Sequence, residues 1–303
     1  MLSRRHLLAA AALPAARALA LPLAQFPLGV TTDEIDDDVL TAIKMLKEFG
    51  LKWAEIRNIY GKYNTAQPKE KIHEVRSLLD EHAIRVNVLG TGFFKVPLPD
   101  DSPAGRTALD AQWTLLDGAI ERAQILGTNK VRIFGFTYPN GEQPAATAYP
   151  RIYELLREAS RRTKAKSKAI RLCIENVGQS YIWTGEQAGR LLKEVKEENI
   201  GLTWDPNNAA ETGEQSFPTG FAHLDTARIH HVHLRDFRKA ATGKVEWCAV
   251  GEGIMDNLGQ LRALRKAHVD CSYTLETHWK SPQGKAHATR TSLTALLKVI
   301  EQV

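Results

Sequence analysis

Leu172-Cys173-Ile174-Glu175-Asn176 is an apolar, strand-like run that ends in a carboxylate. The same arrangement returns three times toward the carboxyl terminus, in Leu202-Thr203-Trp204-Asp205, His231-Val232-His233 and Tyr273-Thr274-Leu275-Glu276. Glu175, Asp205, His233 and Glu276 are separated by intervals about as long as one helix plus one strand. Successive strands of a (β/α)8 TIM barrel converge at their carboxyl ends, where such enzymes keep their chemistry, so the spacing predicts a barrel in which these four side chains meet. Three carboxylates and one imidazole make an oxygen-rich donor set for one divalent metal ion. The set suits Mn2+ best, with Co2+, Mg2+ and Zn2+ as alternatives.

Working outward, eight strands are predicted: Leu28 to Thr31, Trp53 to Arg57, Arg85 to Leu89, Lys130 to Phe134, Ala169 to Glu175, Gly201 to Asp205, Ile229 to Leu234 and Ser272 to Glu276. Helical patterns alternate with them over Asp37 to Phe49, Pro68 to His82, Ala104 to Leu126, Pro150 to Lys166, Thr184 to Lys196 and Met255 to Ala267, where apolar residues recur three and four places apart. Several stop at glycine or charged residues, as in Lys47-Glu48-Phe49-Gly50. Strict alternation implies a parallel sheet, and eight units without a composition break imply one closed barrel rather than two domains. The longest irregular segments, Gly90 to Gly105 and Arg235 to Gly253, both follow strands, on the side where loops build a pocket.

Ser3-Arg4-Arg5-His6-Leu7-Leu8 opens an Ala- and Leu-rich run, and Ala18-Leu19-Ala20 supplies small residues where a signal peptidase cuts. Paired arginines followed by Leu-Leu read as a twin-arginine export signal. Residues 1–24 are therefore expected to be a leader, residues 25–303 the barrel, and the periplasm or the exterior the place of work. The apolar run is short and broken by Pro14 and Arg17, so no stable membrane insertion is expected once it is cleaved. The formal charge is +5, of which Arg4, Arg5 and Arg17 contribute three, leaving +2 for the remainder. That balance points to no nucleic-acid partner. Cys173, Cys248 and Cys271 lack Cys-x-x-Cys spacing; Cys173 is expected to be a buried free thiol, while a Cys248 to Cys271 bridge is left open.

The chain resembles the xylose isomerase-like TIM barrel superfamily, often labelled sugar phosphate isomerase/epimerase, over essentially all of residues 25–303. The resemblance rests on Ile174-Glu175-Asn176, Trp204-Asp205-Pro206-Asn207-Asn208, His231-Val232-His233-Leu234-Arg235-Asp236, Leu275-Glu276 and the glycine-bounded loop Val250 to Asp256. It implies Glu175, Asp205, His233 and Glu276 as metal ligands, and Glu175 and Glu276 as the acid/base pair. Many members have histidine where this chain has Asn208, which can hold a substrate hydroxyl but cannot titrate. His231, Arg235 and Glu252 are further substrate-binding candidates; Glu252 either orients Arg235 or His233 or is a turn residue, and His231 is equally a packing histidine. Trp183, Trp204, Phe93 and Phe94 are candidates to stack on a sugar ring, with packing as the default for Trp204. Glu55 and Arg57 read as an inward pair of unassigned role.

A divalent ion that chelates neighbouring oxygens of a keto-sugar acidifies the adjacent C–H and neutralises an enediolate, and flanking carboxylates move the proton. The expected function is therefore a metal-dependent isomerase or epimerase of a non-phosphorylated sugar or keto-sugar. The alternative is a lyase or dehydratase acting on an inosose or a 3-keto-glycoside, and a third reading is a non-catalytic sugar-binding protein. The DNA-repair endonucleases of the same superfamily need additional histidine ligands, and the strands before Glu175 contain no histidine.

Overall fold

Eight short strands pair in parallel: β1 (Leu28–Val30), β2 (Trp53–Ile56), β3 (Arg85–Gly90), β4 (Lys130–Ile133), β5 (Arg171–Glu175), β6 (Ile200–Trp204), β7 (Ile229–Leu234) and β8 (Ser272–Leu275). They are those expected from the sequence. The computed structural model describes residues 26–303 apart from 140, 141 and 143, so the export signal read over residues 1–24 lies outside the described residues. β8 pairs with both β1 and β7, the remaining strands follow in chain order round to β2, and a parallel bridge between Thr31 and Glu55 brings β2 back to β1. The result is a (β/α)8 barrel whose carboxyl strand ends share one rim.

Helices cover the outside: α1 (Val39–Glu48), α2 (Lys69–Glu81), α3 (Pro103–Leu126), α4 (Tyr149–Lys166), α5 (Gly185–Glu194), α6 (Pro206–Glu211), α7 (Asn257–Lys266) and α8 (Lys285–Ile300). Local chemistry sets their ends. The Asp38 and Ser102 side chains cap α1 and α3, Thr184 and Gln187 form a reciprocal capping box on α5, and Gly127 ends α3 in the left-handed region at φ 72°. The apolar stripe of α1, Val39, Ala42, Ile43 and Leu46, is buried against the sheet. Among the described residues, no helix is long and apolar enough to cross a membrane.

Two helices escaped the sequence reading. α6 is only six residues long and starts at a proline, and α8 follows the last strand. The segment Arg235 to Gly253, read as irregular, contains an antiparallel ribbon of Asp236–Lys239 and Val245–Cys248. The three cysteines are free and buried. Cys248 lies on the ribbon above the carboxyl rim and Cys271 just before β8, at the opposite end of the barrel, which explains why they are not bridged.

The two faces of the sheet divide the sequence by alternation. Val131, Ile133, Leu172, Ile174, Val232, Leu234, Tyr273 and Leu275 belong to the apolar core under the helices. The interleaved residues Arg132, Cys173, Glu175, His231, His233, Ser272 and Thr274 fill the barrel interior, together with Glu55. A barrel interior is usually packed with branched apolar side chains, so a polar one is specific to what this chain holds there. Gly90 makes room for it: a Cβ at this position would lie 3.1 Å from Glu55 Oε1 and 3.2 Å from Arg132 Nη2. Gly90→Ala is expected to lower stability by about 1–3 kcal/mol through that overpacking. Thermal unfolding of the two proteins checks this, and an unchanged midpoint would refute it.

Candidate functional site

Inward alternation on β7 aims His233 along the barrel axis, and the three carboxylates meet it from neighbouring strand ends. His233 Nδ1 is fully buried and has no hydrogen-bond partner among the described residues. Around it lie Glu276 Oε2 at 3.3 Å, Glu175 Oε1 at 3.4 Å and Asp205 Oδ2 at 3.7 Å. The other oxygen of each carboxylate is tied down. Arg132 holds Glu175 Oε2 at 2.8 Å, Arg57 holds Glu276 Oε1, and the first backbone N–H groups of α6, from Asn207 and Asn208, hold Asp205 Oδ1 at 2.9 and 3.1 Å. Asp205 thus caps a helix and faces the site at once. On the other side of the ring, His233 Nε2 lies 3.0 Å from Glu55 Oε2, which leaves Nδ1 as the atom presented to the carboxylates.

The electrostatics follow from burial and like charge. Burial pushes the His233 pKa down, but Glu55, Glu276 and Glu175 outweigh it and lift the imidazole well above its ordinary value. Burial pushes Glu175 up, while Arg132 and His233 overcome it and bring the carboxyl down to about 2. Glu276 is lowered in the same way: His278 and His233 prevail over desolvation. The cluster therefore favours ionised Glu175 and Glu276 beside a protonated His233.

Among the residues named from sequence, Glu175, Asp205, His233 and Glu276 come together, with one candidate ligand atom from each lying within 4.8 Å of the others. Arg235 and Asn208 adjoin them. Arg235 donates to Asp205 Oδ2 at 2.6 Å and to Asn208 Oδ1 at 2.8 Å, and its guanidinium stacks over Trp247 at 4.3 Å. Asn208 Nδ2 donates to Asn176 O at 2.8 Å and to Glu175 Oε1 at 3.3 Å.

Two candidates stand apart from the cluster. His231 does not line the pocket: it is fully buried one layer beneath His233, with Nδ1 2.7 Å from Ser272 Oγ and Nε2 3.4 Å from Glu55 Oε2. Glu252 is exposed, closes a turn by donating its N–H to Ala249 O at 3.0 Å, and makes no ion pair with Arg235 or His233 among the described residues. Phe93 and Phe94 are fully buried and stacked on each other, and Phe94 stacks in turn on Phe136. Trp204 packs in the core with Nε1 on Gln260, and Trp183 is partly exposed with Nε1 on Asn208 O.

Sequence reasoning missed Arg132 altogether and gave Glu55 and Arg57 no role. The signal was present: Lys130 and Arg132 alternate with Val131 and Ile133, and Glu55 and Arg57 with Ala54 and Ile56, so charges occupy inward positions. Arg57 also holds Asp33 at 2.7 Å and Glu34 at 2.8 Å. His278 accepts from Arg235 and lies 3.5 Å from Glu276 Oε1, with a left-handed backbone at φ 51°. Asp33 and Glu34 had no motif to reveal them, whereas His278 stands just past the last strand, where a residue could reach the site.

The donor set fits a divalent cation. An unpartnered ring nitrogen facing three carboxylate oxygens, with its second nitrogen on a buried carboxylate, is the arrangement that orients a histidine ligand. Glu175, Asp205, His233 and Glu276 are the residues that could hold the ion.

The family model described as "Xylose isomerase-like TIM barrel" matches residues 43–299. No curated protein matches the chain. Solved structures with the same fold include the IOLI protein with a zinc atom (18% identity, TM-score 0.72, covering 91% of this chain and 98% of that one). Another is 3-keto-D-glucoside 4-epimerase, YcjR, from E. coli (17%, 0.68, 90% and 99%). A third is D-psicose 3-epimerase from Clostridium cellulolyticum H10 with D-tagatose (16%, 0.65, 91% and 94%). At these identities the likeness is one of fold.

A cation entering the cluster must displace the Nδ1 proton of His233, whose pKa is raised in its absence. Apparent affinity for Mn2+ is therefore expected to rise with pH and to level off above that pKa, with about one proton released per ion. Titration calorimetry in buffers of different ionisation enthalpy reads the proton count, and binding independent of pH would contradict it.

Proposed function

Because the chain belongs to the xylose isomerase-like TIM barrel family, we propose that it is a divalent-metal-dependent isomerase or epimerase of a non-phosphorylated sugar or keto-sugar. Glu175, Asp205, His233 and Glu276 are its metal ligands, and Glu175 and Glu276 its acid/base pair. One observation carries this reading: the two glutamates each have one oxygen clamped by an arginine and turn the other toward the same atom, His233 Nδ1, at 3.4 and 3.3 Å.

A divalent ion, with Mn2+ preferred by the oxygen-rich donors, polarises a carbonyl oxygen and stabilises negative charge developing on it. The residues supply the rest. Clamping by Arg132 and Arg57 fixes the directions of the Glu175 and Glu276 carboxylates, so a substrate carbon between them meets a base on either face. Both carboxylates are held ionised, the form in which either can take a proton. Return to the same carbon from the opposite face inverts it; return to its neighbour isomerises the sugar. Asn208 and Arg235 adjoin the oxygens that face His233 and offer N–H groups to substrate hydroxyls.

Two structural neighbours are named for sugar epimerisation, which supports the substrate class. We propose further that the protein works in the periplasm or outside the cell, on the strength of the Ser3-Arg4-Arg5 leader. Phosphorylated sugars are scarce there, which favours a free one.

Proton NMR in D2O of the Mn2+-loaded protein with free ketoses, inososes and 3-keto-glycosides, followed by EDTA, tests the activity. Deuterium at the carbon beside the carbonyl together with an epimer or aldose signal is expected, and Glu175→Gln and Glu276→Gln should each lose about 10²–10⁴-fold. Exchange with loss of water or of an aglycone would replace this reading with a lyase, and no exchange would overturn it. Glu175→Gln and His233→Ala should also lose stoichiometric metal while keeping the native circular dichroism spectrum. Retained metal would remove the ligand assignment.

A further inference from the structure

The residue at the far end of the barrel interior from the pocket is Lys130, and a chain of polar contacts joins it to His233. Lys130 Nζ donates to Ser272 Oγ at 3.0 Å, and Ser272 Oγ lies 2.7 Å from His231 Nδ1. His231 Nε2 lies 3.4 Å from Glu55 Oε2, which in turn lies 3.0 Å from His233 Nε2. Ser272, His231, Glu55 and His233 are all buried.

The chain has a direction because its first member cannot accept. An ammonium only donates, so Ser272 Oγ accepts from Lys130 and turns its own hydrogen to His231 Nδ1. His231 Nδ1 is then the acceptor, and the ring proton sits on Nε2, facing Glu55. Glu55 Oε2 accepts from His233 Nε2, which keeps that proton on Nε2 in the neutral ring, and the His231 Nε2–H faces the same oxygen at 3.4 Å without closing a hydrogen bond. The lone pair is left on Nδ1, the atom that Glu175, Asp205 and Glu276 surround.

We infer that Lys130, acting through Ser272, is the positioning residue that sets the tautomer of His231, so that an N–H rather than a lone pair faces Glu55, the carboxylate that orients His233 in the site and so tunes how strongly it holds its ion. The inference rests on the metal-centre reading above. It also explains why a polar column occupies the place where a barrel normally packs apolar side chains.

Nitrogen-15 NMR of histidine-labelled protein, metal-free and Zn2+-loaded, reads the tautomers, and a competition titration with a chelating dye reads Zn2+ affinity. Wild type and Lys130→Arg, which keeps a donor-only group, should both show His231 as the Nε2–H form. Lys130→Met and Ser272→Ala should lose that preference and bind Zn2+ about 10-fold more weakly, at the lower end of what partners of metal ligands contribute. A wild-type His231 with its proton on Nδ1, or a Lys130→Met protein with native tautomer and native affinity, would overturn the inference. If Lys130→Met does not fold, the wild-type tautomer and Ser272→Ala decide the matter. A wild type that binds no Zn2+ but shows the Nε2–H form would defeat the metal reading while leaving the hydrogen-bond chain intact, so the two failures are told apart.

Discussion

Three carboxylates brought to one imidazole nitrogen inside a barrel are the constraint that the remaining architecture answers. Like charges packed in a poorly solvated space repel, and a buried charge left without a partner costs several kcal/mol. Each is therefore paired: Glu175 with Arg132, Glu276 with Arg57, Asp205 with Arg235 and the first N–H groups of α6, and Glu55 with His233. The partners use one oxygen of Glu175 and of Glu276 and leave the other facing His233. Neutralisation of the two glutamates and their aim at His233 are achieved by the same contacts.

A second consequence appears above the rim. Asp236 accepts four backbone N–H groups, from Phe237, Gly251, Gly253 and Met255, at 2.9 to 3.1 Å, and so fastens the ribbon to the loop before α7. Gly253 has to be glycine at that approach, since a Cβ would fall 2.1 Å from Asp236 Oδ1. The fastened ribbon carries Trp247 onto Arg235, and its ring meets His278 edge-on at 5.3 Å. An aromatic ring is thus fixed beside the polar cluster, with Arg235 held over it.

How much was legible in the sequence follows from what each feature depends on. The strands were legible because apolar residues mark every one of them, and the four ligand-type residues because each stands at a strand's carboxyl end. The arginines were not, because an arginine inside a strand has no motif; only its inward parity on β4 or β2 distinguishes it from a surface charge. Glu252 and His231 were drawn toward the site by their nearness in sequence to Gly251 and His233. In space a turn points the first into solvent, and the two-residue strand repeat drops the second a full layer. α6 was hidden because its N-cap was already read as a ligand, and Asp205 serves both ends.

The contacts that build the site also span the chain. Arg57 and Glu276 are 219 positions apart, and Glu55 and His233 are 178 apart. Both pairs join β2 to the last two strands, across the seam where Thr31 and Glu55 bring the first strand and the second together. Ring closure and site assembly therefore draw on the same long-range contacts, and both bear the entropy of closing a long loop. A chain cut short of β7 holds Arg57 without Glu276 and Glu55 without His233, and one cut between β7 and β8 regains only the second pair, so the charged cluster is complete only when the last strand is in place.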